Sequence, residues 1–274
     1  MVKKITSLFI ASIAFYFAFS QTEAKLQKII ALPNPCILQG NYAFFFQNNA
    51  LNLLNLQDKH TISVGCSYNY ASYLAACCNL RFAALFPDKT LLIYDNNLNI
   101  ISSIALKNIS WPQFLAFPCA SAIWTYDALN SQLVRIPLPQ NNFNSEQIFP
   151  VSQSVLKLKA INSKIFFATA DSIYAIMPNY DFKCISRNHG DFFFCNNCKI
   201  YLTQSKLIIK TDSAQIQIPN KNNYHYICGF SQGDNRHSLG TIALAQKDSC
   251  VIFKILLCSK SSSSPQNKSP DHTQ

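Results

Sequence analysis

The chain has 274 residues, 13% of them charged and 13% aromatic, with 23 basic residues against 13 acidic ones. A chain of this length is ample for one large core and needs no disulfide framework. The basic excess is spread thinly, with no run longer than two, which argues against a nucleic-acid binder and leaves solubility as its leading role, with attraction to an anionic envelope surface as the alternative.

Residues 1–20 read as a processing segment. Lys3 and Lys4 give a basic start, Leu8 to Phe19 an apolar stretch, and Ala18-Phe19-Ser20 the small residues a signal peptidase reads. Cleavage there leaves Gln21 as the mature N-terminus; cleavage after Ala24 is the alternative. The apolar stretch falls short of the roughly 20 residues of a membrane helix, and no later run reaches that length. The mature chain is therefore expected to have no transmembrane segment and to be exported, to the periplasm, the outer membrane or beyond the cell. Without Lys3 and Lys4 it keeps 21 basic residues against 13 acidic ones.

From Tyr42 onward a pattern repeats. Apolar second strands begin at Tyr42 (YAFFF), Phe82 (FAALF), Ile123 (IWTY), Ile165 (IFFAT), Ile200 (IYLT) and Ile242 (IALAQ), spaced by 40, 41, 42, 35 and 42 residues. A polar turn follows each, and third strands begin at Leu51, Leu91, Leu133, Ile173, Leu207 and Val251 with spacings of 40, 42, 40, 34 and 44. Two landmarks keeping one period near 40 predict propeller blades of four short strands. No segment sustains a 3.6-residue apolar period over three turns, which excludes helical repeats.

The ends complete the pattern. Fourth strands are expected at 60–64, 100–106, 146–149, 182–186 and 215–219, and the sixth unit, VIFKILLC at 251–258, lacks one. Leu26 to Leu32 (LQKIIAL) resembles those outer strands, and pairing it into the last blade removes an exposed edge. The reading is an all-β, six-bladed β-propeller over 21–258, its last blade closed by the N-terminal strand. The polar residues 259–274 have nothing to bury and form a disordered tail.

With 26 Asn and only 6 Gly, many turns are expected to rest on asparagine, which tolerates a left-handed backbone. The segments IWTYD, QLVRI and LFPDKTLLIYDNNLNIISSIAL (85–106), with the secretory start ending in Ser20-Gln21, resemble small exported six-bladed β-propeller proteins of Bacteroidota. That resemblance implies the fold and carries no assigned activity. The chain departs from the pattern in its low glycine and its 11 cysteines.

Few residues suggest chemistry. Cys195-Asn-Asn-Cys198 sits in a turn of blade five, where two thiols can share a metal or bridge each other. A metal would need a second pair, such as His225 and Cys228, and the helix of a thioredoxin-type motif is missing, so plain buried or turn thiols are the leading reading, a local disulfide of Cys195 and Cys198 is the alternative, and no metal is expected. The five histidines fall in loops. Asp88, Asp127, Asp171 and Asp248 recur in one hairpin of four blades, as acids that fold back on their own turns do. Trp124 belongs to an inner packing strand, while Trp111, just before Pro112, is the candidate surface aromatic for ligand binding. No glycine-rich phosphate loop or catalytic carboxylate pair appears, so no cofactor or catalytic residue is assigned.

The leading expectation is a non-catalytic binding or scaffold protein of the cell envelope, with a protein or glycan partner. The alternative is a propeller enzyme, a lyase or hydrolase acting on envelope sugars or peptides, which requires titratable groups to converge at one channel mouth. Small-molecule carriage in the channel is a third possibility.

Overall fold

In the computed structural model, residues 23–77, 79–138, 146–187, 190–195, 198–211, 215–232 and 238–258 are described. The expected processing segment and polar tail lie outside them. The chain opens with β1 (Glu23–Pro33). Blade one follows as β2 (Cys36–Gln39), β3 (Tyr42–Gln47), β4 (Ala50–Asn55) and β5 (Thr61–Gly65). Blade two is β6 (Tyr73–Ala76), β7 (Phe82–Leu85), β8 (Thr90–Tyr94) and β9 (Ile100–Ala105). Blade three is β10 (Pro112–Cys119), β11 (Ala122–Asp127), β12 (Gln132–Pro137) and β13 (Gln147–Pro150).

Blade four comprises β14 (Lys157–Ile161), β15 (Lys164–Ala168), β16 (Ser172–Ile176) and β17 (Phe182–Arg187). Blade five comprises β18 (Asp191–Cys195), β19 (Cys198–Leu202), β20 (Lys206–Thr211) and β21 (Gln215–Pro219). Blade six has β22 (Tyr226–Gln232), β23 (Ser238–Ala245) and β24 (Ser249–Cys258), and β1 adds the fourth strand. This is a six-bladed propeller. Leu26 pairs Ile255 and Ala31 pairs Val251, so the N-terminal strand closes the last blade as the repeat pattern required.

Position within a blade explains the patterning. Second and third strands are covered by neighbouring blades on both faces and are apolar almost throughout, as in YAFFFQ of β3. Outer strands have one wet face and alternate, as in QIQIP of β21, exposed at every other residue. The core is accordingly split into clusters between adjacent blades. Phe44, Phe46 and Leu51 of blade one meet Phe82, Ala84 and Tyr94 of blade two. Leu32 and Cys250 of blade six meet Cys36, Ala43 and Phe45 of blade one across the closing seam. Each fully buried Phe contributes roughly 1.5–3 kcal/mol to holding blades together.

Asn48 and Asn49 take left-handed φ of 53° and 55° in the two-residue turn between β3 and β4, as the asparagine content suggested. Lys59, Lys89, Leu98 and Ser131 do the same elsewhere, so asparagine carries only part of the load. Glycine is reserved for closer quarters. At Gly229, where β22 meets β2, a Cβ would fall inside the Leu38 carbonyl.

Candidate functional site

The first strands β2, β6, β10, β14, β18 and β22 surround the axis, each touching the next, with β22 returning to β2. All run in one direction, so their first residues share one mouth of the channel and their last residues the other. Along them Tyr73, Lys157, Lys159, Asp191 and Tyr226 are the ionisable side chains apart from cysteine, and Asp191 is the single acid. Everything else there is largely aliphatic or aromatic.

Lys157 and Lys159 stand two residues apart on β14 and therefore share a face. Asp191 opens β18 behind Gly190, whose φ of 124° lets the chain pass where a Cβ would strike the Leu202 carbonyl. The Asp191 side chain is fully buried. Lys159 Nζ donates to Asp191 Oδ2 at 2.8 Å, to the Phe192 carbonyl at 3.1 Å and to the Ile227 carbonyl at 2.7 Å. All three of its N–H bonds are thereby used, tying blade four to blades five and six. The Ile227 amide also donates to Asp191 Oδ2.

Lys157 is held more loosely. Its Nζ lies 3.2 Å from Asp191 Oδ1 as an ion pair, and among the described residues Oδ1 has no aligned hydrogen-bond donor. The ammonium sits over the Tyr226 ring, 5.1 Å from its centroid, and the side chain is 18% exposed, as is that of Lys159. Burial pushes the Lys157 amine below its ordinary value, with Asp191 opposing and Lys159 reinforcing that shift. Burial alone would raise the Asp191 carboxyl, but the Lys159 and Lys157 ammonium groups outweigh it and hold the acid below the usual range.

Two more blades complete the mouth. Phe114 adopts φ 60° in a bulge of β10, and the Thr125 hydroxyl donates to the Gln113 and Phe114 carbonyls at 3.2 and 2.9 Å. The bulge brings the Phe114 ring to 5.5 Å from the Tyr73 ring. Burial raises the Tyr73 phenol, which the Phe114 backbone hydrogen-bonds and which feels Tyr226 electrostatically. Five blades thus supply one cluster: Tyr73, Phe114, Lys157, Asp191 and Tyr226. The channel beyond is a cavity of about 240 Å³ between Leu38, Ala75, Phe117, Lys159, Ile161 and Phe230.

The sequence-level candidates lie elsewhere. Cys195 and Cys198 pair across the β18–β19 hairpin, their Cα atoms 5.0 Å apart and their sulfur atoms meeting. Trp111 is 61% exposed on the loop entering blade three. Trp124 is buried and stacks on Phe149 at 5.2 Å. Asp88 accepts from the Thr90 amide in its own turn at 2.9 Å. Asp127 departs from the turn reading: fully buried, it accepts from the Ser110 and Trp111 amides at 2.9 and 3.0 Å, besides its own turn. It anchors the loop that carries Trp111. His189 and His237 lie outside the described residues.

The signal for the charged cluster was present: Lys-x-Lys and a lone Asp head two first strands that are otherwise apolar. Those strands lie just before the second-strand landmarks, so an alignment of second and third strands passes over them.

No known protein family matches the chain, and no curated protein matches it. Among solved structures it is similar to a streptogramin B lyase, with a TM-score of 0.54 and 15% identity over 81% of this chain and 78% of that one. It is also similar to virginiamycin B lyase from Staphylococcus aureus, with a TM-score of 0.50 and 13% identity over 86% of this chain and 100% of that one. At such identities the likeness establishes the fold and leaves activity to the site itself. The leading expectation of a non-catalytic scaffold is set aside on this finding, because the two structures the chain is similar to are both lyases.

Proposed function

We propose that the chain is a propeller enzyme of the lyase type, working at the channel mouth where the first strands begin. The observation that carries this reading is the convergence of Lys157, Asp191, Tyr73 and Tyr226 from four blades onto one partly open spot. Eliminations need a fixed positive charge beside a developing anion, and groups that move protons. Lys157 supplies the charge, pre-oriented by Asp191, which Lys159 locks in turn.

Proton transfer falls to the tyrosines. Tyr226, half exposed beneath the ammonium, is the base we assign to take the proton from carbon. The electron pair moves into a new C=C bond, the bond to the leaving oxygen breaks, and Tyr73 gives that oxygen its proton. Burial, by raising the Tyr73 phenol, keeps it protonated for this task. Solvent at the mouth then removes the proton gained by Tyr226 and returns one to Tyr73.

The substrates we assign are envelope sugars or peptides, because Lys3, Lys4 and Leu8 to Phe19 read as an export segment. The purified chain, incubated with envelope polysaccharide and peptide fractions, is expected to generate unsaturated products detectable by ultraviolet absorbance and mass spectrometry. The Lys157→Met and Tyr73→Phe variants should lose them. Equal product from the parent and both variants would remove this assignment.

A further inference from the structure

The chemistry of the mouth also constrains what it receives. The two lysines and one aspartate give the first strands a formal charge of +1. Other acids of the described chain, such as Asp58, Asp88, Asp95, Asp127 and Asp181, lie outside these strands. Lys159 is saturated by three acceptors. Lys157 is not: among the described residues it makes one ion pair and lies over one aromatic face, which leaves N–H bonds unused. Walls of Leu, Ala and Phe around a single uncompensated charge strengthen its field.

We propose, resting on the lyase reading, that the substrate presents a carboxylate to Lys157 and lays a flat or apolar body against the rings of Tyr73, Phe114 and Tyr226. One uncompensated charge matches one carboxylate. The Lys157 ammonium lies 5.1 Å from the Tyr226 ring centre, so the anion site adjoins an aromatic face, and Phe114 and Tyr73, whose rings meet at 5.5 Å, line the channel cavity. A carboxylate held there also makes the neighbouring C–H more acidic, which is what an elimination requires.

Binding can be read without turnover. Benzoate and its neutral counterpart benzamide are titrated by ligand-observed NMR against the full chain, Lys157→Met, Lys157→Arg and the surface control Lys28→Met, each checked for fold by circular dichroism. Benzoate is expected to bind roughly tenfold more tightly than benzamide. Lys157→Met should abolish that preference, whereas Lys157→Arg and Lys28→Met should keep it. Equal binding of the two probes, or an unchanged preference in folded Lys157→Met, overturns the carboxylate site. A Lys157-dependent preference without turnover of any envelope fraction supports the anion site and removes the lyase reading. Lys157-dependent turnover of neutral substrates at the same rate as carboxylates removes the anion site and leaves the lyase reading standing.

Discussion

Replacing Asp191 with Asn should reveal how much the channel cluster holds the ring together. In the parent, Asp191 is fully buried between two ammonium groups, and its Oδ2 accepts from Lys159 and from the Ile227 amide. The substitution keeps an acceptor for Ile227 but leaves Lys159 and Lys157 without a counter-charge. Breaking a buried pair by removing one partner typically costs 3–5 kcal/mol; with the amide contact retained, the expected loss is about 3 kcal/mol. For a chain of this size that corresponds to a fall in Tm of roughly 6–12 °C. Thermal unfolding followed by circular dichroism measures it directly. Adding Lys159→Met should recover part of the loss, because the stranded cation is then gone. Acid titration gives a second readout. The folded Asp191 carboxyl lies below 3.8, so its contribution is complete above that pH and is lost as the pH falls further, through the lowered folded value. Asp191→Asn lacks that acid-dependent loss. A variant within about 1 kcal/mol of the parent, or strict additivity with Lys159→Met, would refute the account of the cluster as an interdependent unit.

Asp127→Ala should cost about 2 kcal/mol, since it strips the acceptor from the Ser110 and Trp111 amides, and lower Trp fluorescence anisotropy should report the loosened loop. Gly229→Ala forces a Cβ into the Leu38 backbone and should cost about 3 kcal/mol or prevent closure, while Gly65→Ala, with open space around it, should leave Tm unchanged. Because the Lys157 amine is held below 10.5 and works in its charged form, benzoate binding and turnover should be lost as the pH rises through that lowered value, before ordinary lysines titrate. Peptide mapping after thiol alkylation is expected to recover Cys195 and Cys198 as a bridged pair; two alkylated thiols would exclude the local disulfide.

The blades were legible because burial on both faces forces apolar runs of fixed length, and those runs recur. The expected second strands at Tyr42 and Phe82 begin where β3 and β7 do, and the expected closing strand lies inside β1. The functional cluster follows a different logic. Asp191, Lys157 and Tyr226 are far apart in sequence, each is one residue at the head of a strand, and the charged pair does not repeat from blade to blade. Only the register of the first strands around the axis brings them together. Asp127 shows the same limit on a smaller scale. Its turn position was readable, but its reach back to Ser110 and Trp111 depends on how the incoming loop crosses the hairpin.

The placement of the cluster follows from how a propeller spends its apolar residues. Packing between neighbouring blades uses the second and third strands and is satisfied pair by pair, so no blade interface can gather groups from more than two blades. At the axis the first strands of all six blades converge, and a short side chain from one can meet those of several others. A charge placed there must be compensated within the ring, because the surrounding Leu, Ala and Phe provide no polar partner. Asp191 and Lys159 satisfy that demand between blades five, four and six. Once they do, a second lysine on the same face of β14 can remain partly open without destabilising the ring. Lys157 occupies that position, and its availability depends on the fixed pair beside it.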